Sequence, residues 1–464
     1  MTEPTIWQSA TLQEAWRAYH AAYMAASAAD PPRAAELRDA DLVTLAQCTA
    51  HVETQHLLSL LPAALREALV QHPDFALSTV EEFFVHVGQD VEVRGDDWVV
   101  RLPPPSLDDL HQLLARVGRF GADGRGCVPG TAHRVSVWRG RRGESLGVTL
   151  RVGRYVPNAA KALLPLALQG SVLILSKAGK GKTTLLRDLS SSLAHEASMP
   201  RVTVVDTSNE IGGDGPLPMA FLGRCRRLQV ARREDQGRSM IEVIQNHSPE
   251  FLVVDELANA EEADAAWSIA QRGVNLVGTC HGERLADLLQ NRALNLLVGG
   301  AAHAFLSNEE RRLRNKTKKT ILERPHVSPF DFVVELHTRS KGHLYHDVNR
   351  AVDLLLDGQD ASQNASVGCE LRLSEALPEQ VELTIKKGKS STNPFASTAL
   401  DEGEVATSFK SYTDRDGYTS FPGDDKRQRG NHAHSYSNRR GAGGGNKQKR
   451  KSDEQLYSEL SELL

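Results

Sequence analysis

The sequence predicts an α/β protein: a mostly parallel sheet covered by helices, behind a smaller α+β domain. Three observations predict it. From residue 157 to 356, continuous apolar strands alternate with helical stretches, as strands buried on both faces do. One of those strands runs directly into a glycine-rich loop and then a helix. Before residue 157 the pattern changes to short β-branched pairs that suit hairpins.

Composition sets the frame. The 464 residues are 25% charged and 40% hydrophobic, with a formal net charge of −4. That length holds about two to four domains at ~100–200 residues each and needs no disulfide or metal staple. The charge balance excludes a uniformly basic histone-like chain and a wholly acidic solvating one. The five cysteines (Cys48, Cys127, Cys225, Cys280, Cys369) contain no CxxC pair. Free thiols in a reducing compartment are expected. The longest apolar run, ALLPLALQGSVLIL, is broken by Pro165, Gln169 and Gly170, short of the roughly 20 residues a membrane helix needs. MTEP lacks the basic start of a secretory signal, and Glu3 and Glu14 sit poorly in an acid-poor transit peptide.

Residues 1–50 form an Ala-rich helical lead. Thr11 and Glu14 make a capping box, and DPPRAAE breaks the helix. A packing arm, a processed leader and a mobile tail all fit it. Residues 51–156 form the α+β domain. HLLSLLPAALREALV has helical spacing interrupted at Pro62, and STVEEFFVHVG opens on the capping pattern Ser78–Glu81. VEVR and WVVRL flank GDD as one hairpin, a helix runs from Ser106 to Val117, and HRVSVWR and LGVTLRV flank GRRGES as a second hairpin.

In residues 157–356 the strand candidates are SVLIL, RVTVVD, FLVVDE, NLVGT and HAFLS, with KKTILER and DFVVEL as a closing antiparallel pair. Residues 357–464 are rich in Ser, Gly, Asn and Asp. A largely disordered tail is expected there, ending in a short amphipathic helix, SDEQLYSELSELL.

The strongest chemical signal is SVLILSKAGKGKTTLLRDL. A strand, a loop of the GxxxxGK[ST] kind and a helix in that order cradle phosphates. Backbone N–H groups of Ser176, Ala178, Gly179, Lys180, Gly181 and Thr184 would wrap the anion at a helix N-terminus. Lys182 would reach the β- and γ-phosphates, and the Thr183 hydroxyl would bind Mg²⁺. Ser176 departs from the pattern by standing where its first glycine belongs. The bland alternative is a glycine-rich turn with no nucleotide.

FLVVDE lies downstream and ends in Asp255-Glu256. Asp255 would hold Mg²⁺ through water, and Glu256 would orient and deprotonate the attacking water. Two acids at a strand end are also what a solvated end carries, so the pair gains meaning from the loop upstream.

VVDTSNEIGGDG, LGRCRRLQV, MIEVIQNHSPEFLVVDE, QRGVNLVGTCHG and KTILER occur in the order found in a plastid and cyanobacterial ATPase family. That family was first catalogued as a hypothetical chloroplast open reading frame. It is similar to the stage III sporulation protein AA ATPase and, more distantly, to type II and type IV secretion ATPases. The resemblance covers about residues 52–356.

The resemblance implies a RecA-like ATPase core that uses ATP and Mg²⁺, a homo-oligomer of up to six copies, an unidentified protein client and a plastid location. It places Asp206 and Glu210 in the acidic box after the second strand. Glu210 is thereby a second candidate for water activation or metal binding. It places His281 where relatives sense the γ-phosphate. It also implies arginines that reach the nucleotide, from Arg224, Arg226 and Arg227 or from Arg134, Arg151 and Arg154. For each of these arginines a solvated face or surface ion pair is the bland alternative. Some members carry a C-terminal domain for single-stranded nucleic acid, marked by Arg and His four residues apart. In RQRGNHAHSYSNRRG, Arg429 precedes His432 by three, so that folded domain is not expected.

The net charge conceals a block. Residues 426–451 hold nine bases and no acid, and 452–464 hold four acids. Three functions therefore compete: an ATP-hydrolysing oligomeric motor or assembly factor, an ATP-gated nucleic-acid binder using 426–451, and a nucleotide-dependent scaffold without turnover. A small-molecule kinase fits less well, because no arginine-rich lid pattern accompanies the loop.

Overall fold

The computed structural model describes residues 6–118, 120–121, 124–196, 198–313 and 319–373. The basic block 426–451, the C-terminal amphipathic segment and the rest of the expected tail lie outside the described residues.

The lead is helical: α1 (Ile6–Ala29), α2 (Pro31–Glu36) and α3 (Leu42–Leu60), with a π-helical turn at Leu37–Asp41. Asp30 caps α2 by accepting from the Arg33 N–H, and prolines occupy its first turn, where a missing N–H costs nothing. This lead is a packing arm. Trp16, Tyr19, Tyr23, Leu37 and Leu42 share one core with Leu163, Leu186, Leu193 and Phe221 of the larger domain. Pro62 separates α3 from α4 (Ala63–Gln71).

The smaller domain is a six-stranded antiparallel sheet of order β3-β2-β1-β6-β5-β4. Its strands are β1 (Val80–His86), β2 (Val91–Gly95), β3 (Val99–Leu102), β4 (Arg125–Cys127), β5 (Arg134–Arg139) and β6 (Ser145–Arg151). Both expected hairpins form, and α5 (Leu107–Val117) starts on a Ser106–Asp109 capping box. The Ser78–Glu81 pattern does not start a helix. Val80, Phe83 and Val85 are buried while Phe84 and His86 are half-buried, so the segment alternates as a central strand does. One face of the sheet packs on α3, α4 and α5 through Leu57, Leu69, Leu110 and Leu113.

The larger domain contains α6 (Leu164–Ala167), β7 (Val172–Ser176), α7 (Lys182–Ala194), β8 (Val202–Asp206), β9 (Arg226–Gln229), α8 (Gln236–His247), β10 (Phe251–Leu257), α9 (Ala260–Ala270), β11 (Asn275–His281) and α10 (Leu285–Gln290). After them come β12 (Ala302–Phe305), α11 (Asn308–Leu313), β13 (Thr320–Glu323), β14 (Phe332–Leu336), β15 (Lys341–Tyr345), α12 (Val348–Leu356) and β16 (Gly368–Arg372). The sheet order is β16-β15-β14-β7-β11-β10-β8-β9, and β14 through β9 run parallel. Alternate residues feed two cores. Ile174, Val204, Val253 and Val334 face α7 and the arm, whereas Leu173, Val205, Val254 and Val333 face α8, α9 and α12.

Two sequence expectations are corrected here. KKTILER and DFVVEL do not pair. HAFLS pairs instead with KKTILER as the separate ribbon β12–β13, and DFVVEL lies parallel to β7. β14 is wholly buried from Phe332 to Leu336 while β12 and β13 are half-exposed, so burial decides which strand joins the sheet. The sheet also continues past residue 357. Val367, Leu371 and Leu373 are buried, and β16 pairs with β15.

Among the described residues no helix is long and apolar enough to cross a membrane. All five cysteines are free.

Candidate nucleotide-binding site

β7 is buried along its whole length and ends at Ser176. The chain turns through Lys177–Gly181 into α7. Gly179 (φ +76°) and Gly181 (φ +94°) take left-handed conformations, with nothing within 4 Å of a built Cβ. Glycine serves there for its backbone freedom rather than for space. Consecutive N–H groups in such a loop, followed by a helix N-terminus, make an anion-binding concavity.

Ser176 is fully buried at the strand end. Its hydroxyl donates to the Lys177 carbonyl (2.9 Å), and its own carbonyl accepts from Lys182 Nζ (2.7 Å). Its φ is not positive, so the backbone there asks nothing of glycine. Ala178 is exposed; Lys180 and Thr184 are half-buried.

β11 lies between β7 and β10, with His281 beside Ser176. His281 Nδ1 is 3.2 Å from Lys182 Nζ, and its Nε2 is 3.6 Å from Glu256 Oε1. One imidazole therefore bridges the loop lysine and the strand-end glutamate. The β10–β11 register shifts between Val254 and Leu257, and an irregularity of this kind re-aims side chains. Its carbonyls are held from behind. The Asp255 carbonyl accepts from the Thr279 hydroxyl, and the Glu256 carbonyl from Gln236 Nε2 (2.6 Å) and Arg233 Nη2 (3.0 Å).

Glu210 forms the third side. Its Oε2 accepts from the Thr183 hydroxyl at 3.0 Å, and its Oε1 pairs with Arg134 from β5. Its carbonyl accepts from Arg187 Nε (2.7 Å), while Arg187 Nη1 donates to the Arg154 carbonyl (2.9 Å). Asp206 is buried and accepts from the N–H groups of Gly212 (2.7 Å) and Ile211 (3.4 Å). It shapes the loop that presents Glu210.

Burial, then the charges of Glu210, Asp206 and Glu256, push the Asp255 carboxyl well above its usual range, with Arg187 opposing. Burial also raises the Asp206 carboxyl and lowers Lys182. Among the described residues no cluster of three His, Cys, Asp or Glu side chains is arranged to hold a metal alone. Mg²⁺ keeps its waters and takes one or two protein oxygens besides phosphate. The Thr183 hydroxyl and the crowded Asp255 carboxylate could supply them.

The structure thus gathers Lys182, Thr183, Glu210, Asp255, Glu256 and His281. Arg224 and Arg227 do not join them. Arg224 is exposed, and its charge acts on His195 beyond the far end of α7, about 20 Å of helix from the loop. Arg227 fastens the Gly212, Gly213 and Gly215 carbonyls. Arg151 pairs with Glu82, and Arg154 donates to the Leu77 carbonyl. Arg134 is the hairpin arginine that reaches the site. The sequence reasoning missed Arg187, Arg233 and Gln236. Neither Arg187, which lies among Thr183, Thr184, Ser190 and Ser191 at helical spacing, nor Gln236 carried a distinguishing signal.

The strand order and the loop–helix junction define a P-loop NTPase fold with RecA-like strand order. The family described as sporulation stage III, protein AA, matches residues 145–306. The chain is 39% identical over 313 residues to SEEDLING PLASTID DEVELOPMENT 1 of Arabidopsis thaliana, a match covering 67% of this chain and 45% of that protein. It is 34% identical over 311 residues to ycf45 of Cyanidium caldarium, covering 66% of this chain and 91% of that protein. The chain belongs to the ycf45 family. It spans about half the length of the Arabidopsis relative. Among solved structures, the pilus retraction motor PilT with bound ADP aligns at a TM-score of 0.37 and 18% identity, over 54% of this chain and 73% of that one.

Proposed function

We propose that this chain binds ATP with Mg²⁺ and hydrolyses it, working in a plastid as one subunit of an oligomeric motor or assembly factor. The observation that carries the proposal is the run Lys182–His281–Glu256, set across the mouth of a loop with two left-handed glycines. Lys182 offsets charge on the β- and γ-phosphates, and the loop N–H groups hold them. Glu256 takes a proton from water as its oxygen bonds to the γ-phosphorus and the bond to ADP breaks. Thr183 and Asp255 would hold Mg²⁺, which supplies charge stabilisation on the phosphates. His281, touching both Lys182 and Glu256, reports whether the γ-phosphate is present.

Phosphate release by the purified chain, compared with Glu256→Gln, tests this. Turnover in the parent, with turnover lost and ATP retained in the variant, is the expected result. ATP bound equally by both with no turnover in either would favour the scaffold. No nucleotide binding at all would overturn both.

A further inference from the structure

The sheet of the smaller domain has a second face, covered at its Arg134 end by Glu210 of the larger domain and open around Trp138. Its inner face meets α3, α4 and α5. Its outer face presents Trp138, 57% exposed, and the half-buried His86 and Phe84.

Register explains how these rings are set. Gly147 on β6 pairs with His86 on one side and Trp138 on the other. Adjacent strands lie about 4.8 Å apart, so the two rings stand on either side of a residue with no side chain. A Cβ at Gly147 would meet His86 Cδ2 at 2.8 Å and the Val85 carbonyl at 2.7 Å. The imidazole thus lies over the gap. Trp138 is fixed too, since its Nε1 donates to the Thr149 hydroxyl on the neighbouring strand (2.9 Å). Phe84, in the next row, is covered by the Arg94 guanidinium at 5.2 Å.

The surrounding charge is basic. The turn after Trp138 carries Arg139, Arg141 and Arg142, all exposed, against one acid, Glu144. That acid turns back to accept from the Arg142 N–H (3.0 Å). The face itself adds Arg94, Arg101 and Arg151 against Glu82 and Glu92.

A large, oriented, exposed aromatic on an open part of an antiparallel sheet, beside a turn with three exposed arginines and one acid, matches the needs of one ligand. Unpaired bases stack on fixed rings, and their phosphates seek basic side chains. Tryptophan and arginine also mark protein interfaces, so it is the three exposed turn arginines against one acid that select a polyanion. We propose that this face, centred on Trp138 and His86 across Gly147, binds single-stranded nucleic acid. The site is separate from the nucleotide loop and from the basic block 426–451.

The test uses the full chain and fluorescein-labelled U20 and dT20, followed by anisotropy at several salt concentrations. The five tryptophans are separated by comparing parent and Trp138→Phe emission. The expected result is binding that weakens about tenfold or more in Trp138→Ala and survives largely in Trp138→Phe. Replacing Arg139, Arg141 and Arg142 together by Ala should flatten the salt slope by about 2. Trp138 emission should be quenched on binding. U20 and dT20 together show whether the ribose matters. Parent affinity unchanged in both Trp138→Ala and the triple variant overturns the proposal, even if the tail binds. So does absence of binding by the parent. A Trp138→Ala chain that loses self-association in sedimentation but keeps oligonucleotide affinity also overturns it, and makes the face a contact between copies.

Discussion

Arg134 of the small-domain hairpin pairs with the same Glu210 carboxylate that accepts the Thr183 hydroxyl at 3.0 Å. Two domains therefore meet at one carboxylate, and one step away stands the residue expected to hold Mg²⁺. The pair is mostly shielded, with side chains 17% and 26% exposed, so it should count for more than a surface ion pair. In urea unfolding, Arg134→Ala and Glu210→Gln should each destabilise the chain. The double variant should fall short of their sum by about 1–3 kcal/mol. Additive losses would mean that the two residues act separately.

Lys182 should govern nucleotide affinity. Its ammonium is held by the Ser176 carbonyl and His281, ready to transfer to phosphate. Lys182→Ala should weaken binding of a fluorescent ATP analogue about 10- to 100-fold, the worth of a hydrogen bond to a charged group. Burial lowers the Lys182 ammonium, so its proton leaves earlier than an ordinary lysine's as pH rises. Affinity should therefore decline on the alkaline side at a lower pH than lysine's usual range near 10.4. A profile flat to that range would contradict the placement.

The loop was legible because strand, turn and helix are contiguous there, and each of its residues acts locally. Glu256 stood out as an acid at the end of an apolar strand, whereas His281 was singled out through the family resemblance; the structure sets the two 3.6 Å apart. What failed was pairing. HAFLS, KKTILER and DFVVEL were recognisable as strands, yet only the fold determines that DFVVEL lies beside β7. STVEEFFVHVG failed for a different reason. Phe84 and His86 put aromatic rings on the open face, which hid the alternation that marks a strand. Of these two, His86 is part of the candidate stacking surface. Gln236 and Arg233 were invisible because they act through the Glu256 carbonyl from a different element.

Arg227 distinguishes a brace from a finger. It is committed to three carbonyls of the loop after Glu210. Arg227→Ala leaves those carbonyls short of a charged donor and should lower the urea midpoint by the equivalent of about 1–3 kcal/mol. Turnover per bound nucleotide should change little once the protein is saturated. A large loss of turnover at unchanged stability would restore Arg227 to the chemistry.

Glu53 on α3 predicts a pH effect on stability. Burial pushes its carboxyl up to about 8, with Arg187 opposing, while burial pushes the nearby His133 down to about 3. A carboxyl raised in the folded state binds its proton more tightly there than when unfolded. Its contribution is fully present below the unfolded value near 4.3 and is lost as pH rises through about 8. His133, pushed the other way, gains stability as pH rises through its unfolded value. The signature of Glu53 is therefore the parent melting temperature minus that of Glu53→Gln, which should fall between pH 5 and pH 8.5. Parallel curves for parent and variant would show that Glu53 carries no proton in this range.

The arm predicts where truncation acts. Trp16 is 1% exposed, donates from Nε1 to the Thr49 hydroxyl (3.0 Å), and meets Tyr155 edge-on at 5.9 Å. His20 stacks on His195 at 4.2 Å, beyond the end of α7. The arm thus completes the core on the side of the sheet that carries the loop helix, rather than the core of the small domain. Trp16→Ala should cost about 3–5 kcal/mol. Hydrogen exchange should rise first in α7 and around Phe221, with β1 and β6 still protected. Exchange rising first in the small-domain sheet would place the arm's contribution there instead. Unchanged exchange in both would mean that the lead is dispensable to the folded core.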